Sequence, residues 1–158
     1  MKKNIKILVV GDRDDHLPTL TKSLEEELGA EVEYTSSSKR CMEKLAQNGY
    51  DGIVIDYHLL GETGLNVLKV IREKHGDVAL IVLVDQQEEM VRDCLKGGAD
   101  DYVTKISGYL SVLPLVVNQV LQKRDLLKRE RLFHREFVRL TKFSAMGRLI
   151  LGIGHNMN

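Results

Sequence analysis

Three short runs, residues 5–10, 53–55 and 79–84, consist almost wholly of Val, Ile and Leu and lack polar alternation. A strand that is apolar on both faces is stable only inside a parallel sheet with helices covering either side. The segments between these runs carry the helical period instead: Leu17, Leu20, Leu24 and Leu28; Cys41, Met42, Leu45 and Ala46; Leu65, Leu68 and Ile71; then residues 90–96. Residues 31–34 alternate and predict a weaker strand, and Tyr102-Val103-Thr104 a short fifth one. Gly97-Gly98 ends the fourth helix as glycine commonly does. Five strand–helix repeats predict an α/β fold, a five-stranded doubly wound parallel sheet.

A last helical pattern begins near Pro114, whose missing N–H is harmless in a first turn. No proline follows, and the next glycines are Gly147, Gly152 and Gly154, so a long helix is expected from about residue 110 to beyond Ser144. Leu126, Phe133 and Leu140 recur every seven residues, with Phe137 and Leu151 near the complementary seam and Glu130 and Ser144 interrupting it. That spacing predicts a short parallel coiled coil and hence a homodimer. The division expected is residues 1–122 as one domain and 123–158 as a linker helix.

Charge divides the same way. Net charge is zero, but residues 122–158 hold nine Lys/Arg and three Asp/Glu, for +6, leaving −6 on the rest. The basic tail has no nucleic-acid recognition motif and reads as a solvated helix face, so no nucleic-acid partner is expected. Cys41 and Cys94, the only cysteines, lack metal-ligand spacing and read as thiols in a reducing compartment. The N-terminal apolar run is too short and too interrupted for a signal peptide, and nothing approaches a membrane span. A cytoplasmic protein without membrane contact is expected.

In open parallel sheets ligands bind at the carboxyl ends of the strands. Asp12 follows the first strand, Asp56 ends the third and Lys105 follows the fifth. Two neighbouring carboxylates repel each other and favour a hard divalent cation. A carboxylate can serve as nucleophile toward a phosphoryl group, and an ammonium can stabilise the charge that arrives. An Asp after a strand is also a common helix cap.

Residues 7–12 (ILVVGD), 50–59 (YDGIVIDYHL) and 98–105 (GADDYVTK) together resemble the receiver domains of response regulators, over roughly residues 5–122. The resemblance implies a flavodoxin-like fold and phosphorelay signalling with a histidine kinase or phosphotransfer protein as partner. It implies Asp56 as phosphoacceptor, Asp12, Asp56 and the backbone carbonyl of His58 as Mg²⁺ ligands, Lys105 as the phosphate-binding lysine and Tyr102 as the aromatic switch residue. The His58 imidazole itself reads as solvated.

Four positions depart from that family. Gly11 replaces the first acid of the usual pair, and Asp14 or Asp15 stands near enough in sequence to substitute through water. Val84 replaces the hydroxyl residue that ends the fourth strand, so no side chain there can bond a phosphoryl oxygen. Asp85 adds negative charge beside it. Ile106 replaces the usual proline after Lys105; a cis bond to a non-proline residue costs ~3 kcal/mol, so a reshaped loop is expected. Gly11 and Val84 favour a degenerate receiver acting as a phosphorylation-independent docking or dimerisation module; Asp12, Asp56 and Lys105 favour a working acceptor.

Residues 143–158 (FSAMGRLILGIGHNMN) resemble the start of a histidine-kinase dimerisation and phosphotransfer helix, with His155 as the phosphorylated histidine. Imidazole is a suitable nucleophile near neutral pH. Asn156 stands where many members carry an acidic base. The sequence ends inside this motif, with no second dimerisation helix or ATP-binding domain after it. The resemblance therefore implies a fragment of a hybrid sensor kinase that cannot phosphorylate itself from ATP.

Overall fold

The computed structural model describes residues 4–11, 17–58, 64–85 and 88–151, apart from the side chains of Gly64, Glu88 and residues 143–151. Five strands, β1 (Lys6–Val10), β2 (Glu31–Thr35), β3 (Gly52–Asp56), β4 (Ala79–Val84) and β5 (Asp101–Thr104), alternate with five helices. These are α1 (Leu17–Leu28), α2 (Ser38–Gln47), α3 (Gly64–Lys74), α4 (Glu88–Lys96) and α5 (Tyr109–Leu151). All strand pairs are parallel, in the order β2-β1-β3-β4-β5. The expected doubly wound sheet is therefore present, and so is the long C-terminal helix.

Successive strand residues feed two separate cores, as the pleat requires. Leu8, Val10, Ile53, Ile55, Leu80, Val82 and Val84 pack with Cys41 and Leu45 of α2, Leu68 and Ile71 of α3, and Met90 and Cys94 of α4. Ile7, Val9, Val54, Ile81, Leu83 and Val103 pack with Leu20 and Leu24 of α1 and Leu113, Val117 and Val120 of α5. Both cysteines are buried free thiols, with their pKa values pushed up to about 11 by burial. No described helix is long and apolar enough to cross a membrane.

Contacts divide the chain into two compact units, residues 1–124 and 125–158. In the first, α5 contributes one buried stripe. In the second, Leu126, Phe133, Phe137 and Leu140 are all more than half exposed.

Pro114 corrects one expectation. It is the sixth residue of α5, inside the helix and not in its first turn. A proline there removes the N–H that would bond the carbonyl four residues back, which belongs to Leu110. The Ser23 hydroxyl of α1 supplies the missing donor, at 3.1 Å from the Leu110 oxygen. A polar residue on α1 thus makes the proline tolerable and pins α5 against α1.

A second polar anchor lies at the opposite end of the sheet from the strand carboxyl termini. The Asp100 side chain is 5% exposed. One of its oxygens accepts from the Leu80 N–H and from Arg72 Nη2, each at 2.9 Å. The other accepts from Arg124 Nε at 2.7 Å and from Arg124 Nη2. Arg72 also donates to the carbonyls of Gly98, Gly76 and Val78. Gly98 has φ +110°, and a Cβ there would meet the Arg72 side chain at 2.9 Å, so glycine is needed for both conformation and space.

Two outcomes test these anchors. Ser23→Ala should cost about 1 kcal/mol in urea unfolding and clearly less in a Pro114→Ala background, where the residue 114 amide bonds the Leu110 carbonyl. Equal costs in both backgrounds would refute the compensation. Asp100→Ala leaves two guanidinium groups facing each other and should cost about 3 kcal/mol; a loss within error of zero would show the cluster to be incidental.

Candidate functional site

Helices cover both faces of the sheet, so polar chemistry is confined to the strand ends. The strand order reverses beside β1 and β3, and the crevice at their carboxyl ends is where such sheets hold ligands. Asp56 is the last residue of β3, and Gly11 follows β1 immediately beside it; a Cβ on Gly11 would lie 4.0 Å from the Asp56 Cβ.

The Asp56 carboxylate is doubly held. Lys105 Nζ donates to its Oδ2 at 2.6 Å, and the His58 backbone N–H donates to its Oδ1 at 3.0 Å. The carboxylate is 15% exposed and the lysine side chain 20%. Burial pulls the Lys105 pKa down, but the hydrogen bond and charge of Asp56, with Asp85 behind, outweigh it and hold the ammonium above the ordinary lysine range. Lys105 is aimed by its own backbone, whose N–H bonds the Val84 carbonyl at 2.8 Å. The next residue makes the reshaped turn expected without proline: the Ile106 N–H donates to the Thr104 carbonyl at 2.8 Å, a bond proline cannot form, and no described peptide is cis.

The departures at Gly11 and Val84 have packing reasons. A Cβ on Gly11 would approach Leu17 Cδ1 to 3.2 Å. Its N–H bonds the Thr35 carbonyl at 3.1 Å, and its carbonyl accepts from the Tyr34 hydroxyl at 2.9 Å. Val84 is wholly buried in the same core as Val10 and Ile55 and offers no donor. Tyr102 is half-buried against that core, on the face that α4 covers.

One pairing was not legible beforehand. The His58 imidazole is not merely solvated: its Nε2 bonds Asp85 Oδ2, with both side chains about half exposed. The pair links the ends of β3 and β4 next to the Lys105–Asp56 pair. Composition could flag Asp85 as an added charge, but nothing in a linear sequence aligns residues 58 and 85 across two strands.

Asp12, Asp14, Asp15 and His155 lie outside the described residues. Among the described residues no group of three His, Cys, Asp or Glu side chains is arranged to hold a metal. Of the expected Mg²⁺ ligands, the described residues include the Asp56 carboxylate and the backbone carbonyl of His58. These are hard oxygen donors of the kind Mg²⁺ accepts alongside water, so the donor chemistry fits that ion.

Comparison with known proteins identifies the family. The profile of the response regulator receiver domain matches residues 7–110. The chain is 28% identical over 148 residues to the Regulatory protein VanRB of Enterococcus faecalis, covering 94% of this chain and 60% of that protein. It is 22% identical over 129 residues to the Sensory/regulatory protein RpfC of Xanthomonas campestris pv. campestris, covering 78% of this chain and 18% of that protein. It thus spans less than two thirds of either relative. Among solved structures, the Francisella response regulator 1452 receiver domain superposes with a TM-score of 0.66 at 29% identity, covering 76% of this chain and 98% of that one. A CheY-like receiver domain from Methanospirillum hungatei JF-1 superposes with a TM-score of 0.68 at 22% identity, covering 78% and 98%, a likeness of fold alone. The chain belongs to the response regulator receiver domain family of two-component signalling.

Proposed function

We propose that Asp56 accepts a phosphoryl group from the phosphohistidine of a partner histidine kinase or phosphotransfer protein. The observation that carries this reading is the 2.6 Å bond between Lys105 Nζ and the Asp56 carboxylate at the strand ends. An Asp56 oxygen forms a bond to phosphorus as the phosphorus–nitrogen bond breaks, and the donor imidazole leaves with that electron pair. Lys105 then faces the added negative charge. Asp12, Asp56 and the His58 carbonyl would hold Mg²⁺, which when bound would shield the charge of the incoming group.

The reading extends to the rest of the chain. The state of the receiver passes along α5 to a kinase core in which His155 is the phosphorylated histidine. Residues 125–142 serve as a dimerisation helix, supported by the exposed Leu126, Phe133, Phe137 and Leu140 at heptad-related positions. The buried Val84 favours a second reading, a receiver that docks or dimerises without phosphorylation.

Incubation with Mg²⁺ and acetyl phosphate should add the mass of one phosphoryl group to the intact chain. Asp56→Asn should add none, and Lys105→Ala should slow the gain by about tenfold or more. A wild-type chain whose mass never changes selects the docking reading.

Light scattering should give twice the chain mass at high concentration. Phe133→Glu, which places a carboxylate in the seam, should return the monomer. A wild-type monomer at high concentration would refute dimerisation through this helix.

A further inference from the structure

Receivers that switch through β4 need a side-chain donor where this chain has Val84, which is wholly buried and has none. Among the described residues, two donor side chains stand at the ends of β3 and β5 around Asp56. Lys105 is already committed to Asp56 Oδ2. The other is His58, whose backbone N–H holds Asp56 Oδ1 and whose ring is bonded to Asp85, the residue directly after Val84. The four groups form two adjacent pairs, Lys105–Asp56 and His58–Asp85, with Asp85 close enough to contribute to the elevated Lys105 pKa.

We propose that the His58 imidazole is the donor that replaces the missing β4 hydroxyl, held by Asp85 until a phosphoryl group on Asp56 draws it away. This rests on the acceptor reading above and makes Asp85 the competitor for the same N–H. A phosphorylated carboxylate brings nearly two negative charges and three strong acceptor oxygens to the end of β3, whereas a half-exposed side-chain pair such as His58–Asp85 is held weakly. The imidazole thus has two alternative partners, and the phosphoryl group shifts it by its preference for one position.

The element that moves is then the turn after β3, not the end of β4. Tyr57 lies in that turn, its ring edge-on to His58 with centroids 6.1 Å apart. Tyr57 packs against the core that α4 covers, close enough to Glu89, Asp93 and Cys94 of α4 for all three to act on its hydroxyl, behind the larger effect of burial. His58 and Tyr57 thus give the site a route to α4 that does not run through Tyr102.

The test is titration of the full chain with beryllofluoride in excess Mg²⁺, read by amide NMR. His58→Ala keeps the backbone N–H and carbonyl and should weaken binding about tenfold, or 1.4 kcal/mol. His58→Gln, which retains a donor, should recover part of the loss. Asp85→Asn should strengthen binding. Thr104→Val, which removes the hydroxyl in register beside Val84, should change nothing. In the wild type the Tyr57 and α4 amides should shift more than Tyr102. Wild-type binding with His58→Ala unchanged, or with the loss in Thr104→Val instead, overturns this proposal alone. A wild type that binds no beryllofluoride overturns the acceptor reading as well.

Discussion

Both faces of the central sheet are buried, and this constraint governs where the rest of the chemistry can lie. β4 is buried at every position, and β1 and β3 at all but one end. An unpaired charge in the middle of such a strand would lose its hydration without compensation. Charged side chains are therefore pushed to strand ends. The carboxyl ends gather Asp56, His58, Asp85 and Lys105; the amino ends gather Arg72, Asp100 and Arg124. The two groups are built differently. Asp100 is nearly enclosed, and both its oxygens are satisfied by guanidinium and backbone donors, which suits a permanent joint. Asp56 is held by one ammonium and one turn amide at a crevice edge and is the more exposed of the two carboxylates.

The same contrast separates the uses of polar atoms within α5. Proline in a helix interior is costly because a carbonyl is orphaned, and here a serine from α1 answers it. The result is a fixed orientation of the α5 start against the sheet, reinforced by Leu113, Val117 and Val120 in the core. In residues 125–142 the ion pairs of Arg129 with Asp125 and Arg139 with Glu136 join exposed side chains, and pairs of that kind contribute little to stability.

Much of the fold was legible because burial imposes a period. Unbroken apolar runs identified β1, β3 and β4, and leucines at helical spacing identified α1. The order of the strand ends along the sequence is enough to bring Asp56 and Lys105 to one crevice. The start of α5 was expected within a residue of Tyr109, but the Pro114 expectation failed because the sixth residue of a helix lies past its first turn, where a backbone N–H is needed.

What the sequence determined by itself is the class of fold and the meeting of Asp56 and Lys105 at the strand ends, because hydrophobic period and motif order are one-dimensional properties. What only the tertiary structure decided is which distant groups satisfy one another: Ser23 with Leu110, Asp100 with Arg72 and Arg124, His58 with Asp85. Hydrogen bonds and ion pairs act over about 3 Å, and the residues that reach that distance here are separated by 24 to 87 positions. No local pattern encodes such meetings. They follow from strand order, register and the packing of helices onto the two faces.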